Sequence, residues 1–121
     1  MPHAITWFDL PVAELNRAVA FYSAVIGQPV RIDDHGGYKV GVFPAAAGEI
    51  AGCLVVRPGY KPAGEGSLLY FNVAGRLDAA VTAVTAAGGR ITKAKHQIGP
   101  WGWRVLATDT EGNAIALHAP A

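Results

Sequence analysis

The sequence is poor in cysteine, in charge of either sign and in long apolar runs. Its 121 residues include one cysteine, Cys53, so an intrachain disulfide is excluded and a reducing, cytoplasmic location is expected. Ten Lys and Arg residues against nine Asp and Glu residues give a net charge of +1, which creates no broad field for nucleic acid or an anionic membrane. No apolar run approaches the roughly 20 residues of a membrane span. Residues Met1–Ala4 show no cationic segment followed by an apolar one, so no signal peptide is expected.

The motifs of several common chemistries are also missing. The sequence contains no phosphate-binding loop, no GxGxxG after a strand and no GxSxG nucleophile turn, so nothing in it indicates a nucleotide-dependent enzyme or a serine hydrolase. It has no pair of cysteines and no two histidines spaced for a helical zinc site. What is present is 51% hydrophobic and 16% charged residues, enough to form the core of one compact domain.

The hydrophobic pattern of the first half predicts a strand, a helix and three further strands. The first strand covers 5–10 and ends at Pro11. The helix stops at Gly27, since only glycine enters the left-handed conformation without steric cost. Further strands are predicted over 30–33, 38–43 and 50–56, with a turn signal at 34–37. The helix presents one apolar face, formed by Leu15, Ala18, Val19, Tyr22, Val25 and Ile26.

The same order begins again after a segment without periodicity. Residues 57–66 contain two prolines and three glycines and are predicted to be a linker. Strands are predicted over 68–73, 90–92, 103–108 and 113–118, with a second helix whose apolar face is formed by Leu77, Ala80, Val81, Val84 and Ala87. Matching helix segments, LNRAV at 15–19 and LDAAV at 77–81, indicate a duplication. The sequence therefore predicts one α+β domain over 1–121, built from two tandem βαβββ modules at about 4–57 and 67–119, with curved mixed sheets enclosing one cleft.

Three segments of the chain resemble a known protein family. They are ITWFDLPV at 5–12, RAVAFY at 17–22 and DTEGNAIALH at 109–118. With the duplicated order, they are similar to the vicinal oxygen chelate superfamily, which contains glyoxalase I, extradiol dioxygenases, fosfomycin-resistance proteins and bleomycin-binding proteins. The chain looks most like the lactoylglutathione lyase-related members. The resemblance implies a glyoxalase-like fold, a small-molecule ligand and a homodimer.

Metal-using members of that superfamily hold a divalent ion with side chains from the first and fourth strands of each module. Carried over by this resemblance, the four positions fall on Trp7, Gly52, Leu68 and Ala116; a slip of one residue would replace Gly52 by Cys53. None of the four side chains offers the oxygen or imidazole donors that such ions require. We therefore expect no metal in the family position and no other cofactor.

Strand alternation extends these four positions to a predicted cleft surface. If Trp7 and Leu68 face the cleft, so do Asp9, Tyr70 and Asn72. His118 accompanies Ala116 in the same way, and Gly52 and Ala116 leave room for a ligand ring opposite Trp7. For an enzyme, Asp9 or His118 would be the base and Tyr70 the acid or donor. The other interpretation makes Trp7 a core residue that plugs the cleft, with Asp9 and His118 as ordinary structural residues.

The segment 93–104 combines cations with two tryptophans and several turn-forming residues. One interpretation is a mobile flap whose Lys95, Trp101 and Arg104 close over an anionic ligand, with Trp103 beside them. The other is a solvated hairpin whose tryptophans pack on the sheet or on a second subunit.

Three functions remain open at this point. The first is a metal-independent protein that binds or transforms a small organic molecule in an apolar cleft. The second is a metal-dependent lyase, isomerase or dioxygenase with relocated ligands. The third is a non-catalytic structural module with a plugged cleft. Because one fold supports both binding and catalysis, the sequence does not decide whether the chain is an enzyme.

Overall fold

A computed structural model of the chain describes residues 3–121, so Met1 and Pro2 of the N-terminal segment considered above lie outside the described residues. The first module contains β1 (Trp7–Pro11), α1 (Leu15–Ile26), β2 (Arg31–His35), β3 (Tyr38–Val42) and β4 (Ala51–Val55). The second contains β5 (Leu69–Asn72), α2 (Leu77–Ala86), β6 (Arg90–Gln97), β7 (Trp103–Thr108) and β8 (Ala114–Ala119), with a 3-10 turn at Gly99–Trp101. Neither helix is long and apolar enough to cross a membrane, within the part of the chain described.

The two modules have the same sheet topology. The strand order is β1-β4-β3-β2 in the first sheet and β5-β8-β7-β6 in the second. In each sheet the first and last strands of the module pair in parallel and the other neighbours are antiparallel. The predicted α+β fold of two βαβββ modules is confirmed.

The β6 strand is longer than predicted. It runs to Gln97, because His96 pairs with Arg104 and Gln97 with Trp103 across a hairpin with two irregularities in register. The short strand predicted over 90–92 was therefore wrong in its length. Residues 93–97 belong to this hairpin, which agrees with the hairpin interpretation of the segment and not with the mobile flap.

Each helix lies against its own sheet and also contacts the other helix, so the two modules share one core. The α1 helix ends at Gly27 as predicted, with φ +75° and its N–H donated to the carbonyl of Ser23. Tyr22 on this helix is fully buried against Phe43 and Phe71, at centroid distances of 5.4 and 5.1 Å. Since Phe43 belongs to the first module and Phe71 to the second, this aromatic contact crosses between them.

The turn between β7 and β8 binds the first module through buried polar groups. Asp109 is 4% exposed; its Oδ2 accepts the Tyr22 hydroxyl at 2.6 Å and its Oδ1 accepts the Asn113 N–H at 2.9 Å. Asn113, equally buried, donates its amide to the Pro11 carbonyl at 2.8 Å. Every buried group here has a partner, as burial in an apolar core requires. We call Tyr22, Asp109, Glu111 and Asn113 the inter-module clasp.

Glu111, next to this buried pair, caps the first helix from outside its own module. Its Oε1 accepts the backbone N–H groups of Ala13 and Glu14 at 3.0 and 2.9 Å, and its Oε2 accepts Arg17 Nε at 2.7 Å. A carboxylate at this end complements the partial positive charge of the helix N-terminus. Burial alone would raise the pKa of Glu111, but hydrogen bonds from Arg17, Thr110 and these amides lower it to about 2.

The linker is fastened to the second module only in part. Asn113 Oδ1 accepts the Ala63 N–H at 3.1 Å, and the Ala63 carbonyl accepts the Ala114 N–H at 3.2 Å. Gly64 and Gly66, which follow, have open space around them. The linker is thus anchored up to Ala63.

Removal of the Tyr22 hydroxyl tests the clasp. We expect Tyr22→Phe to lower the free energy of unfolding by about 1.5–3 kcal/mol, because a buried bond to a carboxylate is lost without a substitute. Tyr38→Phe, which removes a hydroxyl from a side chain that is 41% exposed, is the control and should change stability by less than about 0.5 kcal/mol. Urea unfolding measures both; equal effects would show that the clasp does not contribute.

The Glu111 contacts predict an acid-dependent contribution to stability. Because the folded-state pKa of Glu111, about 2, lies below the ordinary value of 4.5, its contribution is complete above pH 4.5 and is lost as the pH falls toward 2. Glu111→Gln should therefore be less stable than wild type at neutral pH, and this difference should shrink steadily below pH 4.5. A difference that stays constant down to pH 2, measured by urea unfolding, would contradict the assignment.

Candidate functional site

The outer face of the first sheet is set by the pairing of β1 with β4. Asp9 pairs with Cys53 and Trp7 with Ala51, so these side chains share the face that points away from α1. Gly52 lies on the opposite face, where an added Cβ would stand 2.4 Å from the Phe8 ring. The prediction that Gly52 shares a surface with Trp7 was wrong by one residue, because the parallel register places Cys53 there.

Backbone hydrogen bonds show which residues correspond in the two modules. Val12 donates to the Val55 carbonyl and Val73 to the His118 carbonyl, both at 2.9 Å. Val55 and His118, the two acceptors, therefore occupy equivalent positions. Cys53 and Ala116, each two residues earlier in its strand, are equivalent as well. In the same way, Asp9 lies three residues before the donor Val12 and Tyr70 three residues before the donor Val73, so Asp9 and Tyr70 are equivalent. The family position in β4 is therefore Cys53, the one-residue slip considered above.

Asp9 is surrounded by donors from its own module. Its carboxylate accepts Trp7 Nε1 at 2.8 Å, Cys53 Sγ at 3.3 Å and Arg57 Nη1 at 3.0 Å, and its carbonyl accepts the Tyr60 hydroxyl at 2.9 Å. Partial burial alone would raise the pKa of Asp9, but the three side-chain donors lower it overall. Asp9 is thus a charged anchor for the start of the linker, engaged by three donors rather than free to take up a proton.

Trp7 and Cys53 take structural positions beside this carboxylate. The Trp7 ring is 50% exposed, so it does not plug a cleft. Cys53 is buried, and burial together with Asp9 raises the pKa of its thiol to about 11. Since the thiolate is the nucleophilic and metal-binding form, Cys53 is held in the unreactive state.

The outer face of the second sheet carries a row of polar side chains. Asn72 pairs with His118, His118 with Arg104 and Arg104 with His96, so the four lie side by side across all four strands. We call Asn72, His96, Arg104 and His118 the polar row. Its counterpart in the first module includes Val55 and Val40, which are 2% and 7% exposed, so the duplication itself does not require polar residues here.

Arg104 is held in place within the polar row by two neutral groups. Its Nε donates to His96 Nε2 at 2.9 Å and its Nη1 to the Tyr70 hydroxyl at 2.8 Å. Because an arginine can only donate, His96 carries its proton on Nδ1, which bonds to the Ala94 carbonyl at 2.8 Å. Among the described residues, Arg104 has no carboxylate within salt-bridge distance.

The remaining predicted residues of the second module lie at the margins of this face. His118 Nε2 donates to the Trp101 carbonyl at 2.6 Å, and the Trp101 ring is 70% exposed. Ala116 is fully buried between its strand neighbours. Trp103 lies under the Lys95 ammonium, at 5.3 Å from its ring, in a shallow depression near the start of α2.

A groove of ligand size opens between the two modules. Its volume is about 620 Å³, within the range of small-molecule sites. The apolar part is formed by Phe8, Phe43 and Phe71 with neighbouring aliphatic residues, and the polar part of the lining is formed by His3, Gln28, Glu49, Tyr70 and Asn72. We call this the inter-module groove. Its complete lining is His3, Ile5, Phe8, Ile26, Gln28, Phe43, Pro44, Glu49, Ile50, Leu68, Leu69, Tyr70, Phe71 and Asn72.

The structure therefore distributes the predicted site residues over separate places. Leu68, Tyr70 and Asn72 line the groove, whereas Trp7 and Asp9 lie on the outer face of the first sheet. No hydrogen bond between the described side chains joins Asp9 to Tyr70 or His118. The catalytic roles suggested for these three residues stay predictions.

The side chains at the family metal position do not fit a divalent ion. Trp7, Cys53, Leu68 and Ala116 supply a single donor, and that thiol is protonated. Asp9, the nearest carboxylate, is already engaged by Arg57 and two further donors. Between residues 3 and 121, no group of three or more His, Cys, Asp and Glu side chains lies close enough to hold an ion.

Sequence reasoning missed several residues that define these surfaces. Arg57 and Tyr60 were assigned to an irregular linker. Arg57 follows a strand without acidic residues, which could have suggested that its carboxylate partner lies on the neighbouring strand. His96 could have been found only by extending the hairpin pairing outward from Trp103. Phe8, Phe43 and Phe71 gave no signal beyond their apolar character.

The fold and the duplicated sheet topology agree with comparisons against known proteins. Residues 4–117 match the model of the Glyoxalase/Bleomycin resistance protein/Dioxygenase superfamily, and the chain belongs to this superfamily. A search of curated proteins finds no significant match.

Solved structures support the same fold at low sequence identity. A glyoxalase/bleomycin resistance protein from Albidiferax ferrireducens is 19% identical with a TM-score of 0.73, and the match covers 97% of this chain and 98% of that one. The fosfomycin resistance protein FosX from Listeria monocytogenes is 18% identical with a TM-score of 0.68, over 98% and 94% of the two chains. A mutant of glyoxalase I from Zea mays is 16% identical with a TM-score of 0.69; the match covers 95% of this chain but 46% of that one.

The position of Gly52 can be tested directly. We expect Gly52→Ala to destabilise the protein by about 1–3 kcal/mol, because the new methyl group would overlap the Phe8 ring that packs in the shared core. Gly64→Ala, at a linker site with open space and no positive φ, is the matched control and should be neutral or slightly stabilising. Thermal and urea unfolding distinguish them, and equal stabilities would place Gly52 on the open face instead.

Proposed function

We propose that the chain binds a small, largely apolar organic molecule in the inter-module groove, without a divalent ion at the family metal position. The observation that carries this proposal is the donor set: an alanine, a leucine, a half-exposed tryptophan and a protonated thiol stand where ion ligands would be needed. Apolar walls with a few polar groups at the edge are the composition of small-molecule sites.

The relatives are consistent with a small-molecule role but do not define it. One solved neighbour is named for fosfomycin resistance and another for glyoxalase I, which shows that this fold supports both drug resistance and catalysis. In this chain Asp9 is tied to Arg57, Tyr70 to Arg104 and His118 to the Trp101 carbonyl, so each predicted catalytic group is already engaged. Binding is therefore favoured over proton transfer by these three residues, and His3 and Glu49 are the other titratable side chains of the groove lining. The homodimer and the cytoplasmic location stay predictions.

The alternatives of a relocated metal and of a plugged cleft each have a specific difficulty. A relocated ion would need several donors in one place, and the described part of the chain offers no such group. A plugged cleft would require Trp7 to fill the space, but its ring is half-exposed and does not line the groove. A groove of about 620 Å³ beside three phenylalanines remains open.

A fragment-binding experiment tests the proposal. An aromatic fragment library that includes 2-naphthamide is screened by thermal shift with and without EDTA, since a ligand that binds only the native state raises its apparent stability. We expect binding fragments to act equally in the two conditions. The proposal is contradicted if no fragment binds, or if added Zn²⁺, Ni²⁺ or Mn²⁺ strengthens binding more than tenfold.

Two isoleucines of similar exposure provide a matched pair of variants. Ile50 lines the groove and is 43% exposed, whereas Ile32 lies on β2 outside it and is 41% exposed. Ile50→Glu should weaken fragment binding by about tenfold or more, because a carboxylate placed in the groove must be desolvated by an apolar ligand. Ile32→Glu should bind fragments like wild type. Equal affinities of the two variants, measured by calorimetry, would move the binding site elsewhere.

A further inference from the structure

We infer that the ligand carries a carboxylate, or a similar planar oxyanion, that binds Arg104 in the polar row while its apolar body lies in the inter-module groove. This inference rests on the proposed function, since it names the class of molecule that the groove accepts. The observation behind it is a fixed, partly buried guanidinium without an acidic partner, next to an apolar groove with which it shares Tyr70.

The free donors of Arg104 set the chemistry of the ligand. An arginine has five N–H donors; Nε uses one on His96 and Nη1 uses one on the Tyr70 hydroxyl. The other three have no partner among the described residues. A guanidinium edge of this kind forms paired, charge-assisted bonds with the two oxygens of a carboxylate.

The surroundings of Arg104 make it ready for an anion. His96 accepts from Arg104 and is therefore neutral, and Tyr70 is likewise an uncharged partner, so neither cancels the positive charge. Both hold the side chain in one conformation before a ligand arrives, which reduces the entropy lost on binding. By contrast Arg57 and Arg31, on the outer face of the first sheet, are neutralised by Asp9 at 3.0 Å and by Asp33 at 2.7 Å.

Tyr70 connects the charged site to the apolar one. Its hydroxyl accepts a hydrogen bond from Arg104, and Tyr70 is part of the lining of the inter-module groove together with Asn72. Tyr70 is 45% exposed, so a ligand can reach it. A molecule lying in the groove therefore meets Arg104 at the Tyr70 end, and its anionic group belongs at that end.

Matched pairs of acids and amides test the inference. Aromatic acids and their amides, with 2-naphthoate and 2-naphthamide as the reference pair, are titrated against the full chain by calorimetry. We expect the acid to bind about tenfold or more tightly than the amide, because charge-assisted bonds to arginine exceed neutral ones. The preference should decrease at high salt.

Three variants test whether Arg104 is the cause of the preference for the acid over the amide. Arg104→Met should abolish the preference for the acid, because the acid loses a charge-assisted bond whereas the amide loses only a weaker neutral one. Tyr70→Phe retains the ring and should reduce the preference only in part. Arg90→Met removes one positive charge from the far end of the same β6–β7 hairpin and should keep the full preference for the acid. That result would exclude an effect of net charge.

The outcomes separate this inference from the proposed function. If wild type binds acid and amide equally, the carboxylate inference is wrong and the groove proposal stands. The inference is also wrong if Arg104→Met and Arg90→Met reduce the preference equally. If neither member of any pair binds wild type, the groove proposal fails and this inference fails with it.

Discussion

The hydrogen bond between Tyr22 and Asp109 is the contact on which the arrangement of the two modules depends. A carboxylate that is 4% exposed is tolerated in the core only because Tyr22, Asn113 and two backbone amides all donate to it. Each donor fixes another part of the chain: Tyr22 fixes α1, and Asn113 fixes β1 through the Pro11 carbonyl. This contact therefore joins the two modules that form the walls of the groove.

Duplication has left the two modules alike in backbone and different in charge. In the first module the outer face carries two acidic groups, Asp9 and Asp33, which are paired with Arg57 and Arg31. In the second module the face carries Arg104, which is held by the neutral partners His96 and Tyr70, and Arg90 lies on the same face at the far end of the hairpin. On the first face the carboxylates are therefore paired with arginines, whereas on the second face Arg104 can still bind an anion. This difference, rather than the shared fold, distinguishes the polar row as a place of function.

The fold could be predicted from sequence because its signals are local and repeated. Helical periodicity, glycine stops and the parallel between residues 15–19 and 77–81 each indicate the same βαβββ order. The site could be predicted only in part, because strand alternation fixes which side chains share a face but not the register between strands. Gly52 was misplaced by one residue for that reason. Two partners of Asp9, Arg57 and Tyr60, come from the linker, and His96, a partner of Arg104, comes from the neighbouring hairpin strand; no sequence period connects these residues.

The partial anchoring of the linker has a consequence for how the chain can be assembled. Ala63 is fixed by Asn113 and Ala114, but Gly64 and Gly66 have open space where a side chain would stand. The modules are held together by buried side chains and not by the peptide between them. A chain cut between Gly64 and Glu65 would thus leave two complementary fragments, each with a complete βαβββ order, and Phe71 of the second would complete the aromatic cluster of the first. Such a pair is a natural starting point for a split reporter whose reassembly restores the groove.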